Sequence, residues 1–297
     1  MQLSRPGRLR HLSVECQSLL PYSGEATHDN IIIPALEGLK SLAIHLSNPW
    51  SAGHIVQFSQ WIAVAAPSLE RLMLPSNQRG DHSAALQEIE SLRKLKSFGL
   101  DSSCGHGLSD MSESTFKKLT QGSACGFEDI SLPSMRHLQN PMLLQFLERA
   151  VPTLRRLHLS LTSAIYSGRS GGWAELFSGL LTLLPKLATL EVLQLEMHFD
   201  EVEEYQRLVR ALPPNIRVLK IGRRKSYGAC PSVEGLANAI ADELPHLGRL
   251  SRVQIVDNIH AKDYTPTDEL TSAGKFDERG VELSFRCVFT EHLPWVW

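Results

Sequence analysis

Apolar residues recur along this chain in one short phrase, apolar-x-x-apolar-x-apolar. It stands at Leu39-Lys-Ser-Leu42-Ala-Ile44, Leu69-Glu-Arg-Leu72-Met-Leu74 and Leu95-Lys-Ser-Phe98-Gly-Leu100. Further copies are Phe127-Glu-Asp-Ile130-Ser-Leu132, Leu154-Arg-Arg-Leu157-His-Leu159 and Leu190-Glu-Val-Leu193-Gln-Leu195. Ile216-Arg-Val-Leu219-Lys-Ile221 and Leu250-Ser-Arg-Val253-Gln-Ile255 complete the clear set. A first copy is read at Leu12 and a last at Val281. Alternation in the last three positions is the period of a strand, with middle and last apolar residues turned to a core and those between to solvent. Such strands are too short to stand alone. Stacked side by side, they form a continuous sheet.

Between the phrases the period changes to that of a helix. Ile55, Phe58, Ile62 and Ala65 share a face, as do Leu86, Ile89 and Leu92. Asn140-Pro141 predicts a cap with Pro in the first turn, followed by Leu143, Leu147 and Val151. Trp173, Leu176, Leu180 and Leu184 make another inward face. Asp200 with Glu203 reads as a capping box before Val202, Tyr205, Val209 and Leu212. Ser232 is placed to cap the helix of Val233, Leu236, Ile240 and Leu244. Pro67, Pro152, Pro185, Pro213 and Pro245 each stop a helix a few residues before the next strand. Residues 21–36, polar and holding Pro34, predict a loop with a short turn.

The phrases resemble the leucine-rich-repeat family over essentially the whole chain. Asn fills that family's Asn/Cys position only at Asn77 and Asn258. The uneven steps, 26 to 36 residues between phrases, resemble the leucine-rich regions attached to F-box proteins. The resemblance implies an α/β solenoid, a horseshoe with a parallel concave sheet of about ten short strands and helices on the convex side. One solenoid over residues 1–297 is expected, with residues 281–297, rich in apolar and aromatic side chains, folding over the last repeat as a C-terminal cap. The resemblance further implies a non-enzymatic protein-interaction module, the substrate-recognition arm of a ubiquitin-ligase adaptor. No F-box is visible before the first phrase, so the ligase link is expected only if one lies upstream. A regulator or inhibitor of another enzyme, built on the same scaffold, is the related alternative.

Composition narrows the partners. The 297 residues are 42% hydrophobic and carry a formal charge of -2, which argues against a bulk polyanion binder. No apolar run is long enough for a bilayer, and no signal peptide is expected. Five Cys, without a Cys-x-x-Cys pair, predict neither a disulfide framework nor a zinc site. A cytoplasmic or nuclear location follows as the expectation. No metal and no cofactor are expected.

The outward strand positions supply the candidate contacts for a protein or peptide. They include Arg71, Arg156, His158, Gln194, Glu196, Lys220 and Arg252. His45 and His158 are expected at the surface. Loops leaving the strands add Arg223, Arg224 and Tyr227 as interface anchors, at the densest basic cluster, Arg223-Arg224-Lys225. Aromatics and a basic stripe are missing from this face, so it does not read as a nucleic-acid surface. One catalytic alternative exists, a serine hydrolase. Gly168-Arg-Ser170-Gly-Gly172 matches a nucleophile elbow, with Asp257, His260 and His292 following in Ser, Asp, His order. Residues 162–167 separate it from the strand, whereas an elbow turns directly from strand to helix. A loop leading to a helix at Trp173 is the expected form.

Overall fold

The structure is a computed structural model that describes residues 9–16, 38–46, 62, 66–75, 94–101, 126–132, 140–160, 170–197, 201–224, 232–258 and 272–288. The chain divides into two compact units, residues 1–127 and 128–297. The first holds β1 (His11–Cys16), β2 (Ser41–Leu46), β3 (Arg71–Pro75) and β4 (Ser97–Asp101). The second holds β5 (Asp129–Leu132), β6 (Arg156–Ser160), β7 (Val192–Met197), β8 (Val218–Arg224), β9 (Arg252–Asn258) and β10 (Glu282–Val288). Within each unit the strands are parallel and lie in chain order. This is an α/β leucine-rich-repeat-like architecture in which each phrase supplies one strand.

The register follows the phrases. Leu12 faces Leu42, Leu42 faces Leu72, and Leu72 faces Phe98 in the first unit. In the second, Ile130, Leu157, Leu193, Leu219 and Val253 stand in one row. All of these except Leu12 are buried. The last phrase is displaced from its expected place: Leu283, not Val281, faces Val253. A shift of two residues keeps every side chain on its face, so alternation alone does not separate the two registers. The turn before β10 decides it. Gly280 adopts a left-handed conformation (φ 66°), and the Val281 N–H donates to the Phe276 carbonyl.

Helices lie between the strands of the second unit: α1 (Asn140–Ala150), α2 (Ser170–Leu183), α3 (Val202–Arg210), α4 (Val233–Glu243) and α5 (Ala273–Asp277). Their inward residues are those the helical spacing selects. Leu143 and Leu147 are buried on α1, Leu176 and Leu180 on α2, Tyr205 and Val209 on α3, and Leu236 and Ile240 on α4. Each fully buried side chain of this size contributes roughly 1.5–3 kcal/mol. Neighbouring helices are tied as well as packed. Arg207 of α3 lies over the Phe177 ring of α2 at 5.4 Å, and Arg210 of α3 bonds Glu243 of α4 at 2.6 Å.

Of the caps at α3 and α4, one is as expected and one is corrected. Ser232 is the N-cap of α4, its Oγ accepting from the Gly235 N–H at 2.9 Å. The capping box expected from Asp200 and Glu203 is not the device at α3. Its N-cap is Glu201, whose side chain makes no capping bond, and Glu203 and Glu204 supply negative charge to the first turn. Pro185 and Pro245 lie in 3-10 turns, Leu184–Lys186 and Leu244–His246, that end α2 and α4. In the first unit, Ile62 is buried, and the other expected helical positions and the 21–36 loop lie outside the described residues, as do residues 289–297 of the second unit.

One backbone motif sets the stacking. The carbonyl of the second phrase residue accepts two N–H groups from the next phrase at Arg10, Lys40, Glu70, Glu128, Arg155, Glu191 and Arg217, and one, from Glu282, at Ser251. The Arg155 carbonyl takes the Glu191 and Val192 N–H groups at 2.8 and 3.0 Å, and Glu191 does the same for Arg217 and Val218. Arg10 and Lys40 repeat it in the first unit. Side chains at this position therefore sit next to one another, and from Lys40 to Lys96 and from Glu128 to Arg217 their charges alternate, whereas Arg10 beside Lys40 and Ser251 beside Arg217 stand outside the alternation. The series is Lys40, Glu70, Lys96 in the first unit and Glu128, Arg155, Glu191, Arg217 in the second. Ion pairs join Lys40 to Glu70 and Arg155 to Glu191.

Candidate functional site

The parallel register carries polar side chains into rows on the sheet face opposite the apolar row. In the second unit, one row sets Asp129 beside Arg156, and the next sets Ser131, His158 and Gln194 side by side. Glu196 follows two residues after Gln194 on β7. Strands about 4.8 Å apart bring such neighbours within hydrogen-bonding reach.

His158 is the hub. Ser131 Oγ lies 3.0 Å from its Nδ1, while Gln194 Nε2 lies 3.2 Å and Glu196 Oε1 3.3 Å from its Nε2. A ring protonated at Nε2 donates to Glu196 and accepts the Ser131 hydroxyl hydrogen at Nδ1. Gln194 then suits the ring with its amide oxygen turned inward. In the row below, Arg156 donates from Nε to Asp129 Oδ1 and from Nη2 to Oδ2, each at 2.6 Å. This fork is the strong, planar form of guanidinium recognition.

Burial corrects one expectation. His158, Gln194 and Glu196 are not solvent-facing: they are 2%, 4% and 9% exposed. Ser131, Asp129 and Ser160 are buried beside them. The physical reason is lateral satisfaction. Asp129, Ser131, His158, Gln194 and Glu196 each find a partner on a neighbouring strand, and buried polar groups so paired carry little penalty. A serine on one imidazole nitrogen and a carboxylate on the other resemble the partner set of an activated nucleophile. Here the Ser131 hydroxyl is enclosed and serves the row.

The remaining candidates scatter. Arg71 is exposed on β3 in the first unit. Lys220 is half-buried on β8, in register with Gln194. Arg252 is exposed and committed to Glu282 Oε2 of β10 at 2.8 Å. Arg223 and Arg224, expected in a loop, are the last two residues of β8, in register with Asp257 and Asn258 of β9. Both strands run to seven residues, and the pairing carries them past the phrase. Tyr227 lies outside the described residues. Ser170 is the first residue of α2, three positions before the expected start, and Gly168, His260 and His292 are not among the described residues.

Two residues that the sequence placed on this face but did not single out, Asp129 and Ser131, belong to the buried cluster. Opposite charges at the same position of consecutive phrases, Asp129 and Arg156, were the available signal. Among the described residues no group of three or more His, Cys, Asp or Glu could hold a metal, and no helix is long and apolar enough to cross a membrane.

No family model matches the chain, and no curated protein does. A crystal structure of a protein from Bacteroides fragilis is similar with a TM-score of 0.44 and 9% identity, over 77% of this chain and 68% of that one. The structure of a TLR13–ssRNA13 complex is similar with a TM-score of 0.27 and 13% identity, over 86% of this chain. There the chain spans only 40% of the solved one. The leucine-rich-repeat-like architecture rests on the strand register and phrase spacing of this chain.

Proposed function

We propose that the chain is a non-enzymatic protein-interaction module. The observation that carries this reading is the in-register stacking, which turns single phrase positions into rows of side chains. A row of this kind offers a macromolecule many modest contacts. The buried rows around His158 hold the scaffold, and charged side chains at exposed positions such as Arg71, Arg217 and Arg249 are available for contact. In its finer form the module is the target-binding arm of an F-box-type ubiquitin-ligase adaptor acting in the cytoplasm or nucleus. Its relative is a regulator of another enzyme on the same scaffold.

The test is capture of a partner by the full chain, followed by titration of the purified partner. Saturable binding with no turnover of an ester panel supports the module. Turnover of an ester that Ser170→Ala abolishes overturns it. Recovery of a cullin-type scaffold with the full-length protein supports the adaptor form; its absence from a complex that still holds the partner favours the regulator.

A further inference from the structure

A groove of about 440 Å³ opens at the N-terminal edge of the second unit's sheet, where the chain turns into β6 to β9. Arg155, Thr189, Glu191, Asn215, Arg217 and Arg249 line it, with Glu128 at the β5 end. Side chains tie its floor to the backbone of preceding repeats. Thr189 Oγ1 donates to the Leu154 carbonyl at 2.8 Å, Asn215 Nδ2 to the Ala188 carbonyl at 2.6 Å, and Ser251 Oγ to the Arg217 carbonyl at 3.1 Å. The turns beneath are closed by backbone bonds from Thr153, Ala188 and Ile216. The groove is thus preformed.

Its charges are unevenly committed. Arg155 spends its guanidinium on Glu191 through bonds of 3.2 and 2.6 Å, and Glu128 has its own partner. Arg217 and Arg249 are exposed, and among the described residues neither side chain makes a hydrogen bond or an ion pair. The β8–β9 end therefore presents two uncommitted guanidinium forks, groups suited to carboxylates. The β5–β7 end presents the carboxylates of Glu128 and Glu191. Arg155 there is already taken by Glu191, so a uniformly charged polyanion finds no free cation along that end among the described residues. A peptide that gathers its carboxylates at the other end needs none there.

We propose that this groove binds an acidic peptide segment of a partner protein, with its Asp or Glu carboxylates on Arg217 and Arg249. The proposal rests on the interaction-module reading and moves the contact surface from the strand face to the sheet's N-terminal edge.

A fluorescein-labelled short peptide with adjacent Glu and Asp side chains, titrated with the full chain in anisotropy, tests it. The double variant Arg217→Glu/Arg249→Glu is expected to weaken binding about tenfold or more, with the fold retained by circular dichroism because both side chains are exposed. Arg217→Lys/Arg249→Lys is expected to bind at an intermediate level, since charge returns without the fork. The same peptide with Lys for its acids, and a single-stranded oligonucleotide, are expected to bind more weakly than the acidic peptide. Equal affinity of wild type and the reversed variant, no binding of the acidic peptide, or tighter binding of the oligonucleotide overturns the proposal. A captured partner that binds the reversed variant as well as wild type also overturns it, while leaving the interaction module standing.

Discussion

Arg156 on β6 grips the Asp129 carboxylate on β5 with two parallel hydrogen bonds of 2.6 Å, and the acid of the pair is the buried member. The asymmetry sets the outcome of mutation. Arg156→Ala leaves a buried carboxylate without its counter-charge and is expected to cost about 3 kcal/mol, somewhat less if water reaches Asp129 along the half-exposed Arg156 path. Asp129→Leu combined with Arg156→Leu is expected to cost less than Arg156→Ala alone. Urea unfolding of the variants decides; equal midpoints for wild type and Arg156→Ala would show that the fork contributes nothing.

His158→Ala removes the hub that serves Ser131, Gln194 and Glu196 at once. Each orphaned buried group costs about 1–3 kcal/mol. Ser131→Ala removes one spoke and is expected to cost clearly less. A hub variant as stable as the spoke variant would argue that the three partners re-pair without the ring.

The Lys40–Glu70 pair makes stability depend on pH. The hydrogen bond from Lys40 holds the Glu70 carboxyl below its ordinary value of 4.5; burial opposes this, and the charges of Lys40, Lys96 and Arg71 add to it. A depressed carboxyl contributes stability that is present above the unfolded pKa and lost as pH falls through the folded one. Lys40→Met is therefore expected to lower the melting temperature slightly near neutrality and not at about pH 3, with salt reducing the difference. The same difference at both pH values would refute the linkage.

Two turn devices carry separate predictions. Ser232→Ala removes the cap of α4 and is expected to cost about 1 kcal/mol. Gly280→Ala meets open space but must hold a φ of 66°, so backbone strain of about 1 kcal/mol is the whole expected effect. Thermal melts that leave either variant at the wild-type temperature would remove that device from the account.

The ladder itself is tested by Leu157→Ala and Leu219→Ala, both fully enclosed in one row of the second unit. Each is expected to cost about 2–5 kcal/mol. Losses well under that would mean the row repacks around the cavity.

The fold was largely legible because its signal is repeated. Leu42, Leu72, Leu157, Leu193 and Leu219 each announce a strand, and copies support one another. Where a single signal carried a boundary, it held at Ser232 and failed at Val281 and Asp200. Val281 and Leu283 satisfy the same alternation, and only the turn at Gly280 separates them. Glu201 displaces Asp200 as the cap of α3 because acids are plentiful there and only the chain path selects one. The candidate site was less legible. Strand period assigns His158 and Gln194 to the face opposite the ladder, and that is where they lie. Period says nothing of whether that face is open, and its polarity suggested solvent. The pairings that make burial tolerable, Ser131 to His158 and Asp129 to Arg156, depend on the register between repeats.

The carbonyl at the second phrase position, by accepting two N–H groups, locks neighbouring repeats at one offset, so the alternating signs from Glu128 to Arg217 have a parity. Excising one repeat from the second unit, for example the span from Arg155 to Leu190, would set Glu128 directly against Glu191. Excising two, from Arg155 to Ile216, would set Glu128 against Arg217 and keep the signs opposed. Across Glu128 to Arg217, charge therefore favours removing repeats in pairs over removing one, a preference to which the core of leucines is indifferent.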